Sequence, residues 1–422
     1  MPRRTVSPDS TIGPGTPPTA RHRLGPFDLM FLPAGPRVST RIPMAVLSLE
    51  FDGEPPPDEQ FAAQVAERAR HMPALNVLQP TPGARFFPSG TWAFDTGVHV
   101  LHHRLPTPAE TPALLAALLT QPLPEAPAPP WDLRLIRFDD APRRFGLCYR
   151  IHHALQDGVG AAHTLLALTG DDQAAGPYPH QPARPTARGL LHAAAEWARA
   201  TRPARSPAAL PGPAKPSGRF TVDSREIPEN RARELADRHG STVNDVCLAA
   251  LGLALGHTLH TPHRTLSAAL PMSYRTATDR YTPGNHMLPG RLVLPTAARN
   301  LAEAVRLVHA TTDPLRRHRA KDSRRAALAL LPNRIGAAVL GTNTRPATII
   351  ASSLTFPLPP RVNGARMTGA SGVFAPDESL AAFLAFTRAC GRVRCTVVHD
   401  EATELPDALL DGWTNAFADS AL

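Results

Sequence analysis

The sequence lacks several features that would fix a class of function at once. It has only four cysteines in 422 residues, with neither metal-finger spacing nor a dense disulfide pattern. We therefore interpret Cys148, Cys247, Cys390 and Cys395 as core thiols in a reducing compartment. Two arginines near the N-terminus are followed by no apolar stretch, and the most apolar run, from Val243, is too short to span a membrane. These absences predict a soluble, cytoplasmic protein.

Acidic residues are fewer than basic ones, and the difference indicates the kind of partner. There are 45 Lys and Arg against 36 Asp and Glu, which gives a formal net charge of +9. Such a charge favours a nucleic acid, an acidic membrane surface, an acidic carrier protein or a phosphorylated cofactor. The one dense basic run, Leu315 to Arg325, has no interleaved aromatic residues, so we interpret it as a solvated helix face. We expect no nucleic-acid partner, because no recognition motif accompanies the charge.

The length of the chain suits two domains of ordinary size. Both halves mix predicted strands and helices, which indicates an α/β architecture of two layers. A proline-dense segment between them, interrupted by one predicted helix (Thr186–Ala200), has the composition of a crossover linker. We predict a disordered N-terminal tail (1–25), an N-terminal subdomain (26–172), the linker (173–217) and a C-terminal subdomain (218–422).

Two predicted strands, Trp131–Phe138 and Phe145–Ile151, are joined by the turn DDAPRR and form a predicted hairpin. Two adjacent histidines, His152 and His153, follow the second strand in the stretch RIHHALQDGV, and a helix is predicted after it in the run AAHTLLAL. Successive residues of a strand point to opposite faces, so only one histidine can reach a given cleft. A histidine on a strand is more often a core residue than a catalyst, yet neutral imidazole can take a proton from a hydroxyl or an amine. Asp157 could orient the loop or the ring, and Gly158 permits a close backbone approach.

Neither a nucleophile elbow nor a group of residues with metal-ligand spacing accompanies these histidines. The motif therefore fits best a single base acting on an acyl group that is already activated. Direct transfer of this kind needs no covalent intermediate on the enzyme. We expect no metal and no bound cofactor.

The stretches PPWDLRLIRF and FGLCYRIHHALQDGVGAAHTLLAL closely resemble the wax ester synthase/diacylglycerol acyltransferase family. That family belongs to the chloramphenicol-acetyltransferase-like superfamily, together with the condensation domains of non-ribosomal peptide synthesis. The resemblance implies two α/β sandwich subdomains with an active-site tunnel at their interface. The positions that match the family's other motifs are Pro130-Trp131, Asn244-Asp245, Ser273 and Arg275 in PMSYR, and Gly284-Asn285.

The resemblance also implies a role for each residue of the histidine motif. His153 would be the general base that takes the proton of the acceptor. Asp157 would be structural, in a buried ion pair with Arg275. The amide of Gly158 would help to hold the tetrahedral oxyanion, and His152 would face away and support the loop.

Several matching residues have a structural interpretation as well as a functional one. Asn244 and Asp245 suit the first turn of a helix capped by Ser241 or Thr242. Trp131 equally suits a core position, and the residue after Pro283-Gly284 suits a plain turn. The candidates to bind substrate or shape the site are Trp131, Asn244, Asp245, Ser273, Arg275 and Asn285.

The substrates are less well specified than the chemistry. The family's late Ser-Asn-Val-Pro-Gly-Pro stretch is replaced by ASSLTFPLPP, where Ser352 or Ser353 could stand in for its serine. The resemblance implies a coenzyme A or phosphopantetheine thioester as substrate, so we expect an acyl-CoA or acyl-carrier-protein donor and a small-molecule alcohol or amine acceptor. Peripheral membrane contact stays compatible with the charge. Two alternatives remain open: an amide-forming enzyme of natural-product biosynthesis, similar to condensation domains, and a non-catalytic member of the fold that recruits a partner.

Overall fold

The computed structural model describes residues 22–32, 44–81, 83–89, 94–171, 176–200, 210, 213, 215–259, 266–317, 320–344 and 347–418. The predicted disordered tail lies outside these residues up to position 21. Its last residues are ordered, because Leu24 is buried and its backbone N–H donates to the carbonyl of Arg85. Much of the predicted linker also lies outside the described residues, apart from 176–200 and a few later positions.

Both halves of the chain mix strands and helices, as the patterns predict. The strands are β1 (Met44–Asp52), β2 (Val100–Leu105), β3 (Trp131–Phe138), β4 (Arg144–His152), β5 (Phe220–Pro228), β6 (Ser267–Ser273), β7 (Met287–Val293), β8 (Ile349–Thr355), β9 (Arg361–Val362), β10 (Ala365–Val373), β11 (Ala382–Ala389) and β12 (Arg392–Asp400). The α-helices are α1 (Asp58–Ala69), α2 (Thr96–His99), α3 (Thr111–Leu118), α4 (Gly158–Thr169), α5 (Ala187–Ala200), α6 (Glu229–Arg238), α7 (Val243–Leu259), α8 (Leu301–Arg317), α9 (Ala320–Ala329), α10 (Asn333–Thr344) and α11 (Leu409–Ala418).

The strands form two six-stranded sheets. The first has the order β2-β3-β4-β1-β10-β9, and the second has the order β5-β12-β11-β8-β6-β7. This confirms the predicted α/β architecture and the predicted β3–β4 hairpin, in which Trp131 pairs with Ile151. The first sheet comes mainly from the N-terminal half of the chain, and the second sheet comes from the C-terminal half.

The C-terminal half supplies two strands, β9 and β10, to the first sheet, which the predicted boundary at residue 218 does not foresee. β10 belongs to the C-terminal half but pairs with β1 in the first sheet, with Val46 opposite Val373. The sequence of β10, ARMTGASGV, is rich in small residues and has no run of β-branched or aromatic side chains. Its pairing partner, rather than its own propensity, makes it a strand.

Helix α4 follows the loop of the histidine motif, and hydrogen bonds fix both of its ends. Asp157 caps its N-terminus, because its side chain accepts the N–H of Gly160 at 2.8 Å. At the other end, Arg68 of α1 donates to the carbonyls of Leu168 and Gly170 at 3.1 and 2.7 Å, which satisfies acceptors that a helix end leaves unpaired. The start of α4 is therefore fixed relative to the first sheet.

The basic run that we interpreted as a solvated helix face is partly buried, so that prediction is wrong. Asp322, Ser323 and Arg324 in α9 are buried, and the Lys321 Nζ donates to the backbone carbonyl of Ser273 at 3.0 Å. Helix α9 packs against α5 and β7, so its polar residues meet protein rather than solvent.

No single helix among the described residues is both long and apolar enough to cross a membrane. Helices α6 and α7 pass that test only as a pair, by length and composition, with a bend of 95° between them. In the structure α7 is almost entirely buried in the core of the second half.

Candidate active site

The loop between β4 and α4 is fixed by the carboxylate of Asp157. Besides capping α4, this carboxylate accepts the guanidinium Nη2 of Arg275 at 2.9 Å and the backbone N–H of His286 at 2.7 Å. Burial alone would raise the pKa of Asp157, but the charge and hydrogen bonds of Arg275 hold it well below the ordinary range. Because every side of the carboxylate is occupied, Asp157 holds the loop and is not available to substrate.

Arg275 comes from the second half and is buried beneath the loop. Its remaining donors reach the carbonyls of Gly284 at 2.6 Å and Thr282 at 3.0 Å, so the planar fork is fully used. A Cβ built on Gly160 would lie only 2.8 Å from the Arg275 Cζ. The glycine that the ion pair requires is therefore Gly160, two residues after the glycine of the motif.

His153 follows the end of β4 and lies between two phenylalanine rings. Phe31 stacks on it with ring centroids 4.2 Å apart, and Phe374 meets it edge-on at 5.2 Å. Burial among these rings lowers the pKa of His153 below its ordinary value. The imidazole is therefore neutral at cellular pH, which is the form that can accept a proton.

The tautomer of His153 is set by Asn285 on the other half of the chain. The side-chain NH₂ of Asn285 donates to Asp28 Oδ1 at 2.9 Å and to the carbonyl of His153 at 2.7 Å. Its Oδ1 is consequently left to face His153 Nδ1, at 2.9 Å. Since that oxygen only accepts, Nδ1 must carry the proton and Nε2 must be the free base.

Asp28 completes this chain of hydrogen bonds, and sequence reasoning missed it. It begins a short 3-10 helix (Asp28–Phe31), is buried, and accepts the backbone N–H of Asn285 at 2.7 Å and that of Gly25 at 2.7 Å. Burial raises the pKa of Asp28 to about 6 although these hydrogen bonds oppose the rise. The acid stands inside the apolar stretch GPFDLMFL, which is the one signal that could have identified it.

We expect Asp28→Ala to lower kcat about tenfold with little change in KM. Without the carboxylate the Asn285 amide can rotate, and a hydrogen bond to a charged partner is worth about 1.5–3 kcal/mol. Asp28→Asn retains an acceptor oxygen for the amide and should recover part of the loss. Steady-state kinetics of both variants, with melting temperatures beside them, test this positioning role. Equal kcat in Asp28→Ala and the unmodified protein would contradict it.

A cleft lies between the two sheets and opens at His153. Its walls come from β1 and β10 of the first sheet and from β6, β7, β8 and β11 of the second. The space not filled by protein atoms is about 1190 Å³, its open mouth included, and most of the lining is apolar. Ligand sites have this character: an apolar cavity with a few placed polar groups.

The structure brings some of the predicted site residues to the cleft. His153, Asp157, Gly158 and Ser273 line it, and Arg275 and Asn285 lie directly behind them. Ser273 Oγ accepts the backbone N–H of Arg275 at 3.2 Å. His152 is buried next to the loop, where its Nδ1 accepts the N–H of Ala154 at 3.2 Å.

The other predicted site residues do not line the cleft. Trp131 is a core residue whose indole N–H donates to the carbonyl of Leu75 at 3.2 Å. Asp245 exchanges capping hydrogen bonds with Thr242 and receives Arg316 of α8 at 2.8 Å. Asn244, in the same first turn of α7, is partly exposed. The contacts of these residues therefore agree with the core interpretation of Trp131 and the capping interpretation of Asn244 and Asp245.

Comparison with known proteins agrees with the fold and the motifs. The family model for the wax ester synthase/diacylglycerol acyltransferase catalytic domain matches residues 24–197. A putative diacylglycerol O-acyltransferase of Mycobacterium tuberculosis (strain H37Rv) is 24% identical in an alignment 395 positions long, which covers 80% of this chain and 82% of the relative. The solved wax ester synthase/diacylglycerol acyltransferase from Marinobacter aquaeolei VT8 has a TM-score of 0.62 at 20% identity and covers 94% of this chain and 98% of that one. A mutant starter condensation domain of rhizomide synthetase, solved with C8-CoA, has a TM-score of 0.65 at 14% identity and covers 95% of each chain.

The likeness to these two solved structures shows that the chain shares their fold, as the resemblance implied. Over residues 24–197 the chain is thus similar to the catalytic domain of the wax ester synthase/diacylglycerol acyltransferase family, and the Mycobacterium tuberculosis relative extends the similarity over most of its length.

Proposed function

We propose that the protein transfers an acyl group from acyl-CoA directly to an alcohol, with Nε2 of His153 as the general base. The observation that carries the proposal is the hydrogen bond between His153 Nδ1 and Asn285 Oδ1. It leaves the unprotonated nitrogen on the side of the ring that is not held by Asn285. The lowered pKa of His153 supports the same role, because it keeps the ring neutral.

The proposed reaction uses one proton transfer in each direction. Nε2 takes the proton of the acceptor hydroxyl while the oxygen attacks the thioester carbonyl, and the carbonyl electrons move to its oxygen. The tetrahedral intermediate then collapses, the C–S bond breaks, and the thiolate leaves with the proton from the imidazolium. The products are an ester and free coenzyme A, and the enzyme regains its starting protonation state.

The N-terminus of α4 is the proposed site for the tetrahedral oxyanion. Gly158 is the first residue of α4 and lies at the cleft, and no atom lies within 4 Å of the position its Cβ would take. The first backbone N–H groups of a helix lack partners within the helix and point toward its positive end. Gly158 therefore leaves room for a substrate oxygen to approach these donors.

Three observations support acyl-CoA as the donor and an alcohol as the acceptor. The net charge of +9 suits the phosphates of coenzyme A. The rhizomide synthetase domain of the same fold was solved with C8-CoA, and the curated relatives are named O-acyltransferases. The apolar walls of the cleft suit an acyl chain.

The proposal is tested by thiol release from purified protein with acyl-CoA donors of different chain length. We expect release to require an acceptor and to be faster with alcohols than with amines, with the ester identified by mass spectrometry. Release that is equally fast without acceptor would mean hydrolysis and contradict acyl transfer. Transfer from acyl carrier protein but not from acyl-CoA would contradict the donor assignment alone, and a preference for amines would contradict the acceptor assignment.

A further inference from the structure

Thr387 of β11 presents a hydroxyl to an otherwise apolar part of the cleft. Its side chain is 1% exposed and lines the cleft, and its Oγ1 has no hydrogen-bond partner among the described residues. A buried hydroxyl without a partner is costly, and a valine would fill the same volume without that cost. The hydroxyl is therefore explained best by a group that enters the cleft.

A second hydroxyl lies on the same wall. In the parallel pairing of β8 with β11, Ser352 is opposite Ala385 and Leu354 is opposite Thr387. Ser352 and Leu354 share a face, as do Ala385 and Thr387, so Ser352 is the diagonal neighbour of Thr387 on the cleft wall. The hydroxyl groups of serine and threonine can each donate a hydrogen bond to, or accept one from, an oxygen-bearing group that lies between them.

This wall is set apart from the histidine motif. β8 lies between β11 and β6, and β6 ends at Ser273, close to the loop that Asp157 holds. Two strand spacings amount to about 10 Å. An oxygen at Thr387 therefore belongs to the body of a substrate chain rather than to the reacting carbonyl.

We propose that Thr387 and Ser352 select a substrate whose chain carries a hydroxyl or keto oxygen, on the donor's acyl group or on the acceptor's chain. The inference rests on the proposed function, since it concerns substrates of the same cleft. A site built to hydrogen-bond a substrate oxygen discriminates against the chain that lacks it, because its polar groups then stay unpaired.

The test compares Thr387→Val and Ser352→Ala with the unmodified protein on matched plain and hydroxylated chains. One arm varies the acyl-CoA and the other varies the alcohol. We expect the unmodified protein to prefer the oxygen-bearing chain about tenfold in kcat/KM in one arm, and Thr387→Val to abolish that preference by lowering kcat/KM for the oxygen-bearing chain. Thr396→Val is the matched control: Thr396 lies opposite Ala385 on β12 with a buried, unpartnered hydroxyl but does not line the cleft.

The outcomes separate this inference from the proposed function. Transfer of plain chains with no preference for oxygen in either arm would overturn the inference and leave the function standing. A preference that survives in Thr387→Val, or that Thr396→Val removes equally, would also overturn it. If no chain is transferred, calorimetric binding of plain and hydroxylated acyl-CoA, and of plain and hydroxylated alcohols, to the same variants decides the inference, since equal affinities in both arms overturn it.

Discussion

His153→Ala is expected to lower kcat about 10²–10⁴-fold, which is the usual contribution of a positioned general base. The loss should appear in kcat rather than in KM, because the proton transfer occurs in the transition state. Single-turnover thiol release from acyl-CoA in the presence of an alcohol measures it directly. The folded state should persist, since Phe31 and Phe374 can still pack in the space that the ring leaves.

Two further variants make this result specific. His153→Asn keeps an N–H that can donate to Asn285 Oδ1 but has no nitrogen that accepts a proton, so it should be as inactive as the alanine variant. His102→Ala is the control, because His102 lies on β2 outside the cleft and should retain full activity. If release continued unchanged in folded His153→Ala, the base would have to be another group.

Arg275→Met is expected to lower the free energy of unfolding by about 3–5 kcal/mol, since it strands the buried charge of Asp157. The carbonyls of Gly284 and Thr282 lose their donors in the same variant. Urea denaturation followed by circular dichroism gives the change from the shift in midpoint and the slope of the transition. Activity should fall with stability, because the loop that presents His153 loses its anchor.

The control for this prediction is an ion pair of the same chemistry at the surface. Arg219 donates to Glu401 at 2.7 Å, and its side chain is 77% exposed. Arg219→Met should cost less than about 1 kcal/mol, because an exposed pair gains little over its hydration. If Arg275→Met lowered the free energy of unfolding no more than Arg219→Met does, burial of the pair of Asp157 and Arg275 would not increase its contribution to stability.

Local patterns predicted the elements whose contacts are local. Strand alternation and the turn DDAPRR were sufficient for the β3–β4 hairpin, and a motif aspartate before a run of small residues was sufficient for α4. The buried pair of Asp157 and Arg275 was also predicted, but from the family resemblance rather than from spacing. Such long-range partners leave no periodic trace in a single sequence.

The elements that were missed depend on distant neighbours. Asp28 binds Asn285 across 257 positions, and nothing near Asp28 in the sequence marks it as half of a pair. In the sequence, the acidic and basic residues of α9 resemble a solvent-facing stripe. In the fold, α5 and β7 cover them. Trp131 and Asp245 illustrate the opposite case, since their conspicuous motifs coincide with ordinary core and capping contacts.

Because β10 comes from the C-terminal half but pairs with β1 in the first sheet, the ways in which such chains can diversify are restricted. A gene fragment that ends near residue 217 would encode the histidine motif but would leave the edge of β1 without its partner, from Val46 to Asp52. Unpaired strand edges are templates for aggregation. Arg394 of β12 adds a second tie, because it binds Glu50 of β1 and Ser371 of β10. Recombination that swaps one half for that of a distant relative must therefore preserve the contacts between β1, β10 and β12.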